Sequence, residues 1–242
     1  MSKTAIIIPC YNEANRLKEE EFLSFLALMP NYYLYFVDDG STDATYQFLK
    51  QLESKNTNQI FCLQNPKNIG KGETVRNGML SALKSEEYNQ IGFLDADLST
   101  PLTVFVDITN FLIHENRKAV FGSRLKIAGT HIDRSPIRHV LGRFIATLIS
   151  WTIQIPFYDT QCGAKVFTTD TISKVCKKPF ISRWFFDVEI ILRMKKLWGE
   201  NIYRNLHEYP IQEWKQVNGS KVTILDGIKA PFELWKVKRD NR

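Results

Sequence analysis

The apolar positions of this chain fall into short runs separated by longer segments of mixed polarity. Residues 4–9 (TAIIIP) form the first run, and 33–37, 60–63, 91–94 and 119–122 repeat the pattern. Such runs, bounded by polar turns, read as strands buried on both faces, as in parallel sheets. Between them the spacing predicts helices: one beginning near Glu13, one over 44–53 capped by Ser41 or Thr42, one opened by Gly70-Lys71-Gly72 and running to about residue 84, and one over 103–115. Strands alternating with helices at this spacing imply βαβ units and a mostly parallel, Rossmann-like α/β sheet flanked by helices. Right-handed crossovers then place the carboxyl ends of the strands along one edge. That edge collects Glu13, Asp39, Lys71, Asp95, Asp97 and Arg124.

The pattern changes after Arg124. Residues 126–136 read as a polar loop, 138–155 as a strongly apolar helix and 159–167 as a loop plus a strand. A helix over 184–198, an edge strand over 209–214 and a helix over 222–235 complete the expectation. Neither repeats nor a clear linker interrupt the chain, which reads as one domain over 1–242.

Two strands end in acids. Residues 33–37 run into Asp38-Asp39-Gly40-Ser41-Thr42-Asp43, and 91–94 into Asp95-Ala96-Asp97. Ligands of open parallel sheets bind outside the carboxyl ends of the strands. Carboxylates crowded there repel each other unless a cation or a donor-rich ligand satisfies them. Asp-x-Asp can offer hard oxygens to Mg²⁺ or Mn²⁺, an ion that usually keeps waters and substrate phosphates as its other ligands. Either cluster alone reads equally as helix caps or turn acids. Together they favour a metal–nucleotide site, with Asp97 as metal ligand and Asp95 as a second ligand or a ribose contact.

Composition narrows the partners. The 242 residues carry 32 basic and 26 acidic side chains, a net charge of +6. That suits a nucleotide, a lipid phosphate or an anionic membrane. Without zinc-finger spacing, an RNA-binding signature or a long basic run, nucleic acid is not expected. Cys10, Cys62, Cys162 and Cys176 lack CxxC spacing and read as buried reduced thiols. Residues 140–157 are apolar but broken by Arg143 and Gln154, too interrupted for a spanning helix. No signal peptide is expected, and the reading is a cytoplasmic protein with peripheral contact on the cytoplasmic face of a membrane.

The motifs in order resemble glycosyltransferase family 2. The matching stretches are Pro9-Cys10-Tyr11-Asn12-Glu13, the 38–43 cluster, Asn68-Ile69-Gly70-Lys71-Gly72, Asp95-Ala96-Asp97 and Gly122-Ser123-Arg124. Three further stretches resemble the dolichyl-phosphate glucosyltransferase branch, with the dolichyl-phosphate mannosyltransferases as close relatives. They are Asp159-Thr160-Gln161-Cys162-Gly163-Ala164-Lys165, Arg183-Trp184-Phe185-Phe186-Asp187-Val188-Glu189 and Gly219-Ser220-Lys221-Val222. The chain departs from those relatives in lacking transmembrane anchors. It also has Ser99 where many mannosyltransferases carry a glutamine metal ligand.

The resemblance implies a GT-A fold with a nucleotide-sugar half (1–124) and an acceptor half (125–242). It implies an inverting, metal-dependent transfer of a hexose, expected to be glucose from UDP-glucose, onto a polyprenyl or dolichyl phosphate. A saccharide or other hydroxyl acceptor, or an inactive nucleotide-sugar-binding module, are the alternatives. Pro9, Tyr11, Glu13, Asp39, Lys71 and Asp95 are the expected nucleotide-sugar contacts. Tyr11 can stack on a base or simply pack, and Glu13 can accept from ribose or favour a helix start. Backbone N–H groups and the Lys71 ammonium suit a phosphate. Arg124, Arg134, Arg138 and Lys221 are candidates for phosphate contact, with Arg134 and Arg138 assigned to the acceptor. Asp159 either orients the acceptor or positions cationic groups. Asp187, in an apolar setting that would raise its pKa, is the candidate base for a hydroxyl acceptor, with Arg183 a candidate partner. A phosphate acceptor is already a nucleophile at neutral pH. The apolar helix has two readings: a core element, or an interfacial helix pointing Arg138, His139 and Arg143 at headgroups.

Overall fold

The computed structural model describes residues 2–133, 136–217 and 224–241; side chains are not described at 136–141, 144 and 224–230. The elements in chain order are β1 (Thr4–Cys10), α1 (Glu19–Leu28), β2 (Tyr32–Asp38), α2 (Thr45–Lys55), β3 (Ile60–Gln64), α3 (Lys71–Lys84), β4 (Gln90–Leu94), α4 (Leu102–His114) and β5 (Ala119–Ser123). There follow β6 (His131–Asp133), α5 (Pro136–Ile153), β7 (Ala164–Thr168), α6 (Thr169–Val175), α7 (Phe186–Trp198), a 3-10 turn (Gly199–Asn201), α8 (Ile202–Asn205), β8 (Leu206–Pro210), β9 (Glu213–Lys215) and α9 (Ile224–Asp240).

Seven strands form one sheet in the order β3-β2-β1-β4-β7-β5-β8. All neighbours pair parallel except β7, which runs antiparallel between β4 and β5. The period-two rule for strands explains the two cores. Ala5 and Ile7 of β1 point to one face, where they meet Val75, Met79, Phe93, Phe186, Val188 and Val237. Ile6 and Ile8 point to the other, among Phe22, Leu26, Phe36, Leu49, Phe105 and Ile108. Helices α1, α2 and α4 therefore cover one face, and α3, α5, α6, α7 and α9 the other. The mostly parallel α/β expectation holds.

Several boundaries differ from expectation. The first helix starts at Glu19 rather than near Glu13, because residues 13–17 are spent in tight turns onto the Glu13 carbonyl. Neither Ser41 nor Thr42 caps α2. The Ser41 hydroxyl accepts from the Asn12 amide, and the Thr45 amide donates to Asp43. The expected edge strand over 209–214 is two strands in two sheets: β8 extends the main sheet beside β5, and β9 pairs with β6. Three-residue strands such as β6 leave too short a period to read. Helix α6 gave no signal either, since it follows β7 without a connecting loop.

The apolar helix α5 packs as a core element through Ile149 and Ile153, both buried. Arg143 does not reach outward. It donates to the Tyr158 carbonyl at 2.8 Å, and its guanidinium lies 3.8 Å from the Tyr158 ring centroid. Among the described residues no helix is long and apolar enough to cross a membrane.

All four cysteines are free thiols; Cys10, Cys162 and Cys176 are buried as expected, whereas Cys62 on β3 is only half-buried. Burial pushes the Cys176 thiol up to about 12, and burial followed by the Glu53 charge does the same to Cys62. Only the thiolate reacts. The native protein should therefore resist an aromatic disulfide reagent at mildly alkaline pH and release four equivalents once denatured in urea. Rapid stoichiometric labelling of native protein would contradict this burial.

Candidate functional site

The carboxyl edge of the sheet is organised from the β1 and β2 exits inward. Asn12 adopts a left-handed backbone (φ 50°), from which its side chain accepts from the Thr42 amide at 2.9 Å. Glu13 donates its amide to Thr45 Oγ1 at 2.8 Å. These bonds lock the two loops together and hold Tyr11, half-buried, at the rim. Pro9 is paired within β1, opposite Val37.

Asp39 is buried, and its carboxylate accepts three hydrogen bonds. Oδ1 takes Asn65 Nδ2 at 3.1 Å and the Ile69 amide at 2.9 Å; Oδ2 takes the Gly70 amide at 3.0 Å. The acid thus shapes the turn that opens α3. Gly70 there has φ 96°, a conformation that favours glycine, and a Cβ would also strike Arg183 Nε at 2.6 Å. Asp38, by contrast, accepts from the Ser41 amide and Gln64, as a turn acid does.

Because the turn is fixed, Lys71 projects across to β4. Its Nζ lies 2.5 Å from Asp95 Oδ1. Burial lowers the Lys71 pKa, but Asp95 and then Asp187 outweigh it, and the net direction is upward. Two residues on, Asp97 Oδ2 pairs with Arg16 Nη2 at 3.0 Å, while Oδ1 accepts from the Ser99 amide at 3.0 Å. Arg16 also reaches Glu13 Oε2 at 3.1 Å. Each carboxylate of the Asp-x-Asp pair is therefore matched by its own cation. Ser99 shapes the Asp97 turn through its backbone.

Strand β7 delivers the third side of the site. Running antiparallel, it sets Ala164 opposite Leu94, so the loop before it lands at the active edge. The Asp95 amide donates to the Gly163 carbonyl at 3.1 Å, and a Cβ on Gly163 would lie 2.0 Å from Asp95 Oδ2. Only glycine leaves room for that carboxylate.

Asp159 grips Arg124 through two parallel bonds, Nε to Oδ2 at 2.6 Å and Nη2 to Oδ1 at 2.9 Å, and also accepts the Arg124 amide at 3.1 Å. The guanidinium lies 5.3 Å from the Trp214 ring centroid. Glu208 on β8 accepts the amides of Tyr158 and Asp159, and its burial raises its carboxyl above the ordinary 4.5. Asp159 is thus the positioner of Arg124.

Asp187, in the first turn of α7, is almost wholly buried, at 4% exposure. It pairs not with Arg183 but with Lys165, Nζ to Oδ1 at 2.8 Å. Lys165 lies under Phe93 and Phe121, with its ammonium 4.9 and 5.0 Å from their centroids, and donates to the Cys162 carbonyl. Arg183 instead packs against Gly70 and bonds Asn68. Glu189 and Arg193 form an i,i+4 pair, at 2.6 Å.

The groups feel one another. Asp95 contributes to the charge environment of Arg124, and Asp187 and Asp97 to that of Lys71. Of the expected site, Glu13, Asp39, Lys71, Asp95, Asp97, Arg124, Asp159 and Asp187 come together at one edge. Arg134 and Lys221 lie outside the described residues, and the Arg138 side chain is likewise not described. Sequence reasoning missed Arg16, Gly163, Lys165 and Glu208 as contributors. Gly163 and Lys165 stood inside a quoted motif. Arg16, one of 32 basic residues, carried no signal.

Among the described residues no three His, Cys, Asp or Glu side chains converge into a metal cage. The donor set still fits a hard divalent cation. Asp95 and Asp97 present carboxylates 30% and 23% exposed, and such an ion completes its shell with water and phosphate oxygens. A shallow recess of about 100 Å³, lined partly by Phe157, Tyr203, Leu206 and His207, lies along β8 instead and adjoins none of these acids.

Several known proteins are similar to this chain in sequence or in fold. The sequence model of Glycosyl transferase family 2 matches residues 5–169. The dolichyl-phosphate beta-glucosyltransferase of Drosophila melanogaster is 32% identical over 250 residues, covering 96% of this chain and 70% of the relative. The enzyme of that name from Saccharomyces cerevisiae is 31% identical over 248 residues, 95% of this chain and 72% of the relative. Among solved structures, the glucosyl-3-phosphoglycerate synthase of Mycobacterium tuberculosis with Mn²⁺, uridine diphosphate and phosphoglyceric acid superposes with a TM-score of 0.70, over 99% of this chain and 78% of that one. Its 13% identity makes this a likeness of fold.

Replacing Lys165 by methionine leaves Asp187 buried without its partner, a loss worth about 3–5 kcal/mol. Burial already raises the Asp187 carboxyl above its ordinary 3.8, against the opposing pull of Lys165 and then Lys71. Without Lys165 it rises further. A raised carboxyl favours folding fully below 3.8 and loses that contribution as pH climbs through the native value. The stability deficit of Lys165→Met should therefore widen from acid to neutral pH in urea titrations; a pH-independent deficit would refute the pairing.

Proposed function

Because the chain belongs to glycosyl transferase family 2 and is a glycosyltransferase with the GT-A fold, we propose that it moves glucose from UDP-glucose onto a polyprenyl (dolichyl) phosphate with inversion. The observation that carries this reading is the convergence of Lys71–Asp95, Arg16–Asp97 and Arg124–Asp159 at the carboxyl edge of the sheet. The relatives' names supply the sugar and the acceptor class.

In this reading the nucleotide lies over the β1 and β2 exits, against Pro9, Tyr11 and Glu13, with the turn that Asp39 shapes beneath it. Asp97 and Asp95 would hold Mg²⁺ or Mn²⁺, which when bound neutralises the departing diphosphate as a Lewis acid. Lys71 and Arg16 stand beside those carboxylates, placed to add positive charge on the diphosphate oxygens. One phosphate oxygen of the acceptor attacks the anomeric carbon from the face opposite UDP. The sugar–oxygen bond to UDP breaks as the new one forms, and UDP leaves with the bonding pair. A phosphate dianion has no proton to lose, so positioning and charge neutralisation carry the step. Asp187, tied to Lys165, then orders the site rather than acting as a base. Arg124, aimed by Asp159, is placed for phosphate contact, and Arg134, Arg138 and Lys221 remain candidates for the acceptor's charge.

Asp97→Ala should lower sugar transfer by roughly 100-fold or more, as loss of a preorganised electrostatic contact does; unchanged turnover would contradict the assignment. Transfer to a saccharide hydroxyl but not to a polyprenyl phosphate would replace the acceptor. UDP-glucose with Mn²⁺ should raise the thermal midpoint more than GDP-mannose does, since stabilisation follows ligand affinity, about 2.7 kcal/mol at a hundredfold excess over Kd. Gly163→Ala touches no ligand itself, yet it should weaken that Mn²⁺-dependent stabilisation by displacing Asp95. An unchanged shift would show that Asp95 can be moved without cost to binding.

A further inference from the structure

Helix α9 carries an outward face that the transfer chemistry does not use. Phe232 and Trp235 are 68% and 55% exposed, and their rings stack with centroids 6.2 Å apart. The Arg239 guanidinium lies 4.9 Å from the Trp235 ring centroid, and Lys236 is exposed beside it. Positions 232, 235, 236 and 239 share one helix face by their spacing. The opposite face is spent on the core, with Leu234 and Val237 buried. Asp240 pairs with Arg239 Nε at 2.8 Å, and Glu233 turns away to the Ser182 hydroxyl. The outward face is thus aromatic and basic. An exposed apolar patch rimmed by polar residues marks a protein or membrane contact when it is large enough. Aromatic rings beside lysine and arginine match the boundary between acyl chains and anionic headgroups.

The place of this face matters as much as its chemistry. Glu233 holds Ser182 at 2.6 Å, and the Ser182 hydroxyl accepts the Trp184 and Phe185 amides just ahead of α7. Arg183, in the same turn, packs against Gly70 at the start of α3. Trp184 is itself 37% exposed. The α9 face is therefore tied through a single turn to the loop that presents Lys71.

We propose that the face of α9 bearing Phe232, Trp235, Lys236 and Arg239 docks the enzyme reversibly on an anionic lipid bilayer, so that a membrane-held polyprenyl phosphate meets the carboxyl edge of the sheet. The purpose of the docking rests on the acceptor reading above; the docking itself does not. The aromatic pair enters the headgroup–acyl boundary, and the two cations lie at headgroup level.

Co-sedimentation with vesicles that contain no polyprenyl phosphate tests it. The protein should bind vesicles of phosphatidylcholine with phosphatidylserine, and bind phosphatidylcholine alone more weakly. Each basic residue near such a surface contributes roughly fivefold in partitioning, so Lys236→Glu with Arg239→Glu should reduce binding by at least about tenfold. Phe232→Ala with Trp235→Ala should weaken binding to both vesicle types. Both double variants should glycosylate a detergent-dispersed short-chain polyprenyl phosphate as the parent does. Failure of the parent to bind either vesicle, or variants that bind like the parent, would overturn the proposal. So would a dimer that Phe232→Ala with Trp235→Ala turns into monomer in sedimentation velocity, which would assign the face to a second copy. Vesicle binding by a protein that fails on the short-chain acceptor would uphold the docking face and remove only the acceptor assignment.

Discussion

The grip of the Asp39 carboxylate on the Ile69 and Gly70 amides is the constraint on which the site depends. A buried carboxylate must find donors, and the donors nearest the end of β2 are the backbone of the turn before α3. Hydrogen bonds to a charged group are worth roughly 1.5–3 kcal/mol each, enough to hold a turn whose Gly70 sits at φ 96°. Once that turn is fixed, the next residue, Lys71, can reach Asp95 on β4. The acidic exits of the second and fourth strands are thus joined through two consecutive residues, one by a backbone amide and the other by an ammonium.

The reversed strand β7 is the second architectural decision. A parallel strand in its place would start at the far edge and leave its preceding loop away from the acids. Running antiparallel, β7 begins where β4 ends and brings Gly163 against Asp95 and Asp159 against Arg124. The same strand carries Lys165 into the apolar space under Phe93 and Phe121, where its charge is tolerable only because Asp187 and a carbonyl meet it. A buried ion pair of this kind adds little net stability over an apolar pair. Its effect is to fix the relation between β7 and the start of α7, and hence the wall of the site.

The parallel core was legible because its strands are apolar on both faces, as Ile6, Ile7 and Ile8 illustrate, and because each ends in chemistry rather than in bulk. The acids at 39, 95 and 97 were legible as a set for the same reason. What stayed hidden depends on contacts across long sequence separations. Asp187 lies four positions from Arg183, a helical spacing that suggested a pair, yet α7 begins only at Phe186 and the pairing goes to Lys165 on a distant strand. Arg16 falls in a turn with no periodicity, so nothing in its neighbourhood betrays that it reaches Asp97 across 81 positions. The strands β6 and β9 are stabilised by pairing with each other, which no local pattern encodes.

The charge balance of the edge bears on how a ligand enters. Asp95, Asp97 and Asp159 each already face a cation, with Arg16 shared between Asp97 and Glu13, so these carboxylates are compensated before any ligand arrives. In the proposed reaction a diphosphate dianion and a divalent cation arrive together, and their charges cancel. Such a complex would leave the overall charge unchanged: Asp95 and Asp97 would hold the cation, and Lys71 and Arg16 would be free to meet phosphate oxygens. Nucleotide without metal would have to draw Lys71 from Asp95 and leave that carboxylate uncompensated beside Asp97. A site paired in this way favours the two ligands jointly over either alone, so metal and nucleotide affinities should be reciprocally coupled.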